Sequence, residues 1–390
     1  MTNSRPLAAV LSIGPRLLHF DVDVDKATLR QRSELRLDDN VQYAWPHTSG
    51  DFLYVACSNG GPGGTGNDRH EARAVRLDAR TRALLPHGAA RPLPGRPVHL
   101  TTDERSRHAL IAYNAPSNLT VHRIEHDGSL GATVEQPQPI DAGIYAHQVR
   151  VTPGDRSVIL VARGNSATSS HAEDPGALKV FRYDDGLLMP AFAIAPGGGY
   201  GFGPRHVDMH RALPWMYVSL ERQNRLDVFA LAQDAMPAEI PSFSLDTLAD
   251  PAQVRHRQLA GAIHVHPDAR CVYVANRALG LAEVEGRTVS MGGETTIAVF
   301  AIDRESGRPR RVQDVDTMGG SPRTFAIDPS GRLMLVANST ALPVMTGGSI
   351  SITPPNVAVF RVAQDGTLSY VRRYDFPQAD RPMLWIGLIG

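Results

Sequence analysis

One apolar tetrad returns six times along the 390-residue chain: "LYVA" (53–56), "LIAY" (110–113), "ILVA" (159–162), "MYVS" (216–219), "VYVA" (273–276) and "MLVA" (334–337). Counted between the central residues Val55, Ile111, Val161, Val218, Val274 and Val336, the spacings are 56, 50, 57, 56 and 62. A period near 55 is too long for most helical repeats. It suits one blade of a β-propeller, a four-stranded unit of roughly 40–50 residues. Each tetrad has the same surroundings. A strand-like run ending in a turn precedes it, as in "VRVTPGDRS" or "FAIDPSGRL", and an alternating run follows it, as in "LTVHRIE" or "VAVFRV". Alternation with period two marks a half-buried strand. A turn such as "DDG" or "QDG" and an edge-like segment such as "TLSYVRRYDF" often complete the unit. These four strands are termed a, b, c and d, the tetrad being b. Helical periodicity is confined to one short candidate in "SLDTLADPAQVRHRQLAGA", which its proline interrupts.

The ends of the chain complete the pattern. The N-terminal region supplies a b-like run "AAVLSIG", a c run "RLLHFDVD" and a d run "LRQRSELRL", with no a strand before them. The C-terminal run "RPMLWIGLIG" matches the a strands. The last strand of the chain is therefore expected to complete the first blade, which removes exposed sheet edges. Seven a strands are expected, near 41–47, 97–102, 146–151, 205–210, 261–266, 322–328 and 382–388. The reading is an all-β, seven-bladed β-propeller, a single domain over residues 1–390.

Composition narrows the function. Hydrophobic residues make up 42% of the chain, enough for a sizeable core, and 35 Gly with 29 Pro supply frequent turns. Lys+Arg and Asp+Glu balance at 40 each, with no basic run, so nothing in the charge calls for nucleic acid as the partner. Cys57 and Cys271 each sit in an apolar strand-like run and are expected to be buried, reduced thiols. The N-terminal apolar stretch, about six residues, is too short for a signal peptide's core. No run approaches the ~18 apolar residues of a membrane span. A cytoplasmic protein is expected, a monomer or small homo-oligomer with no membrane partner.

Propeller topology then sorts the charged residues. The four strands of a blade run up and down in turn, so the start of each a strand and the end of each b strand share one rim. His147 begins the a strand "AHQVRV"; Arg205 and His206 begin "RHVDMH"; Arg323 begins "RTFAID". Glu221 follows the b strand "MYVSL", Arg277 follows "VYVAN" and Arg163 follows "ILVA". All seven are expected on one rim near the channel mouth. In the region 1–120 the matching positions hold uncharged residues such as Pro97, Val98, Ser58 and Asn59. Taken singly, each arginine could instead pair with a carboxylate to join blades, and His210 fits a satisfied core or channel histidine. His264 and His266 form a His-x-His pair on one strand face, a pattern that can bind zinc. No acidic or cysteine partner follows at a recognisable spacing, so no metal and no cofactor is called for. The Gly-rich pieces "GGPGGTG" and "PGGGYGFG" lack the strand–helix setting and the lysine of nucleotide loops and are read as flexible rim loops. A G-x-S-x-G elbow is absent.

The stretches "GPRHVDMH…YVSLERQNRLDVF", "AIHVHPDARCVYVANR…IAVFAID" and "SPRTFAIDPSGRLMLVAN…NVAVFRV" resemble the seven-bladed lactonase family. Its members include propeller-type 6-phosphogluconolactonases and fungal-type 3-carboxy-cis,cis-muconate lactonizing enzymes. The resemblance covers nearly the whole chain and is densest over 145–365. It implies that His147, Arg205, Glu221 and Arg277 form a catalytic set; His206, Arg323 and Arg163, placed on the same rim by topology, are expected to bind substrate. Two departures stand out. The family's "NEL" is "LER" here, placing Leu220 before Glu221. The b–c loops after Asn276 and Asn338 are much longer than the family's short hairpins.

The implied chemistry is hydrolysis of a small anionic lactone, of carbohydrate or aromatic-degradation origin. Arg205 and Arg277 would hold the developing oxyanion and clamp a carboxylate or phosphate. His147 would carry the proton, and Glu221 would either activate water or orient a neighbour. A cycloisomerase that forms a lactone from a carboxymuconate-like acid would use the same groups, and a propeller that only binds its partner is the non-catalytic alternative.

Overall fold

Every repeated tetrad lies in the second strand of a four-stranded antiparallel sheet in the computed structural model, which describes residues 6–61, 68–78, 80–254, 257–346 and 348–389. These b strands are Phe52–Ser58, His108–Asn114, Ser157–Ala162, Trp215–Leu220, Cys271–Ala278 and Leu333–Thr340, in blades 2 to 7. Their a strands are Asn40–Pro46, Pro97–Thr102, Ala146–Val151, Pro204–Met209, Gln258–Val265 and Gly320–Ile327. Blade 1 joins the two ends of the chain: Ala8–Ile13 pairs with Ile386–Ile389, Leu11 opposite Ile386 and Ala8 opposite Ile389. Neighbouring a strands touch all the way round, from Asn40–Pro46 through each blade to Ile386–Ile389 and back, so the ring is closed.

The b strands read as unbroken apolar runs because both of their faces are buried. Val55 and Cys57 pack into the interface with blade 1, while Tyr54 and Ala56 pack into the interface with blade 3. The buried apolar residues form seven clusters, one between each pair of adjacent blades, including Leu11 with Leu335 where blade 1 meets blade 7. Three buried tyrosines on b strands latch blades 2, 5 and 6 to the blade that follows. The hydroxyls of Tyr54, Tyr217 and Tyr273 donate to the carbonyls of Gly128, Gly307 and Gly366, at 3.1, 3.0 and 2.9 Å. Each of these glycines closes a c–d turn at positive φ, a conformation glycine adopts without a Cβ penalty. The "QDG" turn is thus a docking point as well as a turn.

Several expectations shift in detail. The final strand begins at Ile386 rather than 382; Met383, Leu384 and Trp385 pack in the core, and Ser12 N donates to Trp385 O at 2.9 Å. The short helix is a single 3-10 turn, Pro251–Gln253, and the a strand of blade 6 begins at Gln258, ahead of 261. The long b–c loops are hairpins, Leu281–Val284 with Arg287–Ser290 and Leu342–Thr346 with Ser349–Thr353, lying against one another. "PGGGYGFG" contains a 3-10 turn at Pro196–Gly199, and most of "GGPGGTG" lies outside the described residues. Cys57 and Cys271 are buried free thiols. No helix of the described residues is long and apolar enough to cross a membrane.

Candidate active site

Six of the seven a strands break their pairing register with strand b at the same place. The shifts fall between Val41 and Tyr43, Pro97 and His99, Ala146 and Gln148, Pro204 and His206, Ala260 and Ile263, and Pro322 and Thr324. A β-bulge adds a residue to one strand and re-aims its side chain. The residues inserted are Gln42, Val98, His147, Arg205, the pair Gly261-Ala262, and Arg323. Gln42, Val98, His147, Arg205, Ala262 and Arg323 all line one small cavity of ≈ 20 Å³ in the channel, with His206 and His264 beside them. Repetition of the bulge is what turns one residue from each blade toward a common point.

Glu221 anchors the arginines. It follows strand Trp215–Leu220; its N–H donates to Gly203 O and its carbonyl accepts from Ala260 N, each at 2.9 Å. Its carboxylate meets three guanidiniums: Arg277 Nη2 to Oε1 at 2.6 Å, Arg163 Nη1 to Oε2 at 3.0 Å, and Arg205 Nε to Oε1 at 3.1 Å. The Arg205 contact is an ion pair without hydrogen-bond alignment, which leaves that N–H unsatisfied. Burial pushes the Glu221 carboxyl up, but Arg277, Arg205 and Arg163 outweigh it and hold it at about 2. Arg323 makes no ion pair or hydrogen bond among the described residues; burial, then the charge of Arg277, bring its guanidinium down to about 10. Four guanidiniums against one carboxylate leave a surplus of positive charge, which an anionic ligand would neutralise.

His147 lies beside this cluster, 5.2 Å between ring centroids from His206. Its Nδ1 is buried without a hydrogen-bond partner. Burial, then Arg205, Arg163 and Arg323, hold the imidazole well below its usual range, so it is neutral. His206 lies deeper, between His147 and His99, and its ring stays neutral for the same reason, burial reinforced by Arg205. The seven expected residues are therefore together: Arg163, Arg205 and Arg277 on Glu221, Arg323 coupled electrostatically to Arg277 and Glu221, and the two histidines beneath.

Blades 2 and 3 contribute more than their sequence suggested. Arg96 is buried one residue before Pro97; its Nε donates to Gln42 Oε1 at 3.1 Å. The signal was an arginine beside proline ahead of an a strand, "GRPV", close in form to "GPRH" and "SPRT". Tyr145, two residues before His147, also lines this mouth: the Arg163 guanidinium lies 3.9 Å from its ring centre. The zinc-like pair divides its partners. His266 is bound to Asp268 and Gly331 O, whereas His264 faces Asp208 at 3.7 Å. His210 caps a turn, its Nδ1 accepting from Ala212 N and Leu213 N.

Glycine at 261 makes room for Arg277. A Cβ there would stand 3.1 Å from Arg277 Nε and from Ala275 O. Gly261→Ala is expected to displace the guanidinium by a few tenths of an ångström and lower turnover about tenfold, since small misplacements of a positioning group are costly. Melting temperature should change by no more than a few degrees; steady-state kinetics beside a thermal melt check both.

A second cavity of ≈ 570 Å³ opens at the opposite mouth, where the a–b turns lie. Trp45, Phe325 and Trp385 line it with the ion pair Arg150–Asp208, whose guanidinium and carboxylate meet at 3.0 Å. Its principal cation is already paired, so the surplus of positive charge belongs to the rim of Glu221.

The family model for the seven-bladed β-propeller lactonases matches residues 12–345. The chain belongs to that family. Among its relatives are 6-phosphogluconolactonases: that of Bacillus subtilis is 26% identical over 330 residues, covering 82% of this chain and 83% of the relative. That of Cronobacter sakazakii is 30% identical over 265 residues, covering 68% and 69%. The solved periplasmic gluconolactonase of Pseudomonas aeruginosa superposes with a TM-score of 0.73 over 98% of this chain and 99% of its own, at 19% identity, a likeness of fold.

Proposed function

We propose that the protein is a lactonase that opens a phosphorylated or carboxylated sugar-acid lactone at this rim, most simply in the cytoplasm. The observation that carries the reading is the convergence of Arg163, Arg205 and Arg277 on a single carboxylate, with the unpaired Arg323 and a neutral histidine beside them. The substrate's anionic group supplies the charge the site lacks. Water adds to the lactone carbonyl, His147 takes its proton, and the guanidiniums meet the oxyanion as it forms. Glu221, held ionised by its three partners, is poorly placed to take a proton and serves to aim the arginines. The family membership and the 6-phosphogluconolactonase relatives support the same reading.

The test is a panel of neutral aldonolactones, 6-phosphogluconolactone and muconolactones, followed by pH-stat. Phosphorylated or carboxylated lactones should exceed their neutral counterparts in kcat/KM by at least tenfold. Equal rates on neutral and anionic lactones would remove the role given to the arginines. Formation of a lactone from a carboxymuconate, with no hydrolysis, would transfer the site to cycloisomerisation.

A pH prediction follows from the buried histidine. Its folded-state pKa lies below ~6.5, so His147 remains unprotonated as pH falls past that value. The acidic limb of kcat/KM should therefore appear below pH 6.5, and activity at pH 6 should match that at pH 7.5 after correction for substrate ionisation. A limb centred near the value of free histidine would contradict this.

A further inference from the structure

The lower cavity, ≈ 570 Å³, has the size of a small-molecule pocket, roughly 300–1,000 Å³. Its lining includes Pro153, Pro267 and Pro329, from the a–b turns of three blades. Tyr43, His264 and Thr324 line both this cavity and the small upper one, so it reaches inward to the layer beneath the rim of Glu221. Its aromatic walls are held from behind. Trp45 is half-buried, with the Arg150 guanidinium 5.0 Å from its ring centre. The buried Trp385 meets Tyr43 edge-on, 6.5 Å between ring centroids, and the buried Phe325 meets His264 edge-on at 4.8 Å.

The polar groups left free in this cavity are mainly donors. Arg150 commits one of its five N–H groups, Nη2 to Asp208 Oδ1 at 3.0 Å, and the others make no hydrogen bond among the described residues. The Thr324 hydroxyl, on a residue 7% exposed, makes none either, and nor does Nε2 of His264. Asp208 has no such freedom. Its Oδ1 also accepts from Met209 N at 3.0 Å, and its Oδ2 from Val265 N at 2.9 Å. The charges in the lining give no surplus to attract an anion, with Asp103, Glu104 and Asp208 against Arg150 and Arg211. A cation would find Asp208 engaged, and Asp103 bound to His108 and Tyr183. The free groups of Arg150, His264 and Thr324 come from blades 4, 6 and 7, and Trp45 from blade 2. A planar aromatic compound with one or two polar atoms would leave most of them unmet. A pyranose would meet them, because its C–H face packs on an aromatic ring while hydroxyls surround its edge.

We propose that the lower cavity binds a neutral saccharide, with a pyranose ring packed on Trp45 and its hydroxyls hydrogen-bonded to Arg150, His264 and Thr324. This site is separate from the rim of Glu221 and does not depend on the reaction proposed there.

Isothermal titration with methyl glucoside, methyl galactoside, maltose and cellobiose tests this, with indole and benzoate as aromatic probes. At least one sugar should bind with a Kd of ~1 mM or below, and more tightly than indole or benzoate. Trp45→Ala should weaken that sugar about tenfold or more, by removing the aromatic face. Thr324→Val keeps the shape and removes the hydroxyl. It should weaken the sugar about three- to tenfold, the scale of one hydrogen bond, at an unchanged melting temperature. Binding of no sugar below about 10 mM overturns the proposal. A sugar held equally by wild type and both variants also overturns it, since the sugar would then sit elsewhere. Preference for indole or benzoate does so too, by making the cavity a site for aromatic ligands. No lactone enters the experiment, so each of these outcomes leaves the lactonase reading intact.

Discussion

Glu221→Gln is expected to cost about 3–5 kcal/mol of unfolding free energy, the usual penalty for removing one partner of a buried ion pair. Three guanidiniums share that carboxylate, and the side chains of Glu221, Arg205 and Arg277 are 6%, 3% and 4% exposed. Water cannot replace the lost charge at those depths. Glutamine keeps the shape and one acceptor oxygen, so the loss isolates charge from packing. Urea titration at pH 7 measures it as a fall in midpoint at unchanged slope. A millimolar tricarboxylate such as citrate should restore part of the stability, because an anion at the mouth takes over the neutralising role. A loss below ~1 kcal/mol, the range of exposed pairs, would show that Glu221 does not hold the cluster. Wild type carries the same dependence in its pH response. A carboxyl whose folded pKa is depressed contributes stability above its unfolded value, lost as pH falls from about 4.5 toward 2. The neutral histidines His99, His147 and His206 begin the decline earlier, since below ~6.5 the unfolded chain binds protons that the folded chain refuses. Melting temperature should fall steadily as pH is lowered from 7.

The blades were legible in the sequence because their physics repeats. A strand buried on both faces is apolar nearly throughout, and the six tetrads from Val55 to Val336 announce this. The rim was legible for the same reason: fixed topology converts positions relative to the tetrad into positions in space, which brings Arg205, Glu221 and Arg277 together from the ends of three separate strands. The bulges were not legible. A register shift is a relation between two strands, and neither "RHVDMH" nor "AHQVRV" alone reveals that Arg205 and His147 are the inserted residues. Arg96 precedes its a strand, which begins at Pro97, and so falls outside the strand positions that mark the rim. Tyr145 left no pattern at all. What ties it to the site is the Arg163 guanidinium over its ring, from a residue 18 positions away that no local pattern connects to it. The role of Glu221 was open in the sequence because a carboxylate near a histidine reads equally as base or as anchor; the three guanidiniums around it are the ground for the anchoring role proposed above.

Arg277 and His147 should respond differently to substitution, although each loss should be large. Arg277 Nη2 is committed to Glu221 and to Ala260 O at 2.9 Å, while its Nε is buried without a partner. On the function proposed above, the unsatisfied edge of this guanidinium receives an oxygen that arrives with the substrate. Lysine would keep the charge but not the fork, and its ammonium could not hold Glu221 and a ligand oxygen together. Arg277→Lys is therefore expected to lower kcat/KM by ~10²–10³, as loss of an oxyanion donor does, with KM rising as well because the same group binds the ground state. His147→Ala removes no charge. It should leave KM within about threefold of wild type and lower kcat by ~10²–10³, and added imidazole should restore part of the rate. If the two act on one transition state, the double variant will be much less than multiplicatively impaired. Two independent losses that multiply in full, or a His147→Ala enzyme impaired only in KM, would place the proton transfer on another residue and leave His147 as a wall of the channel.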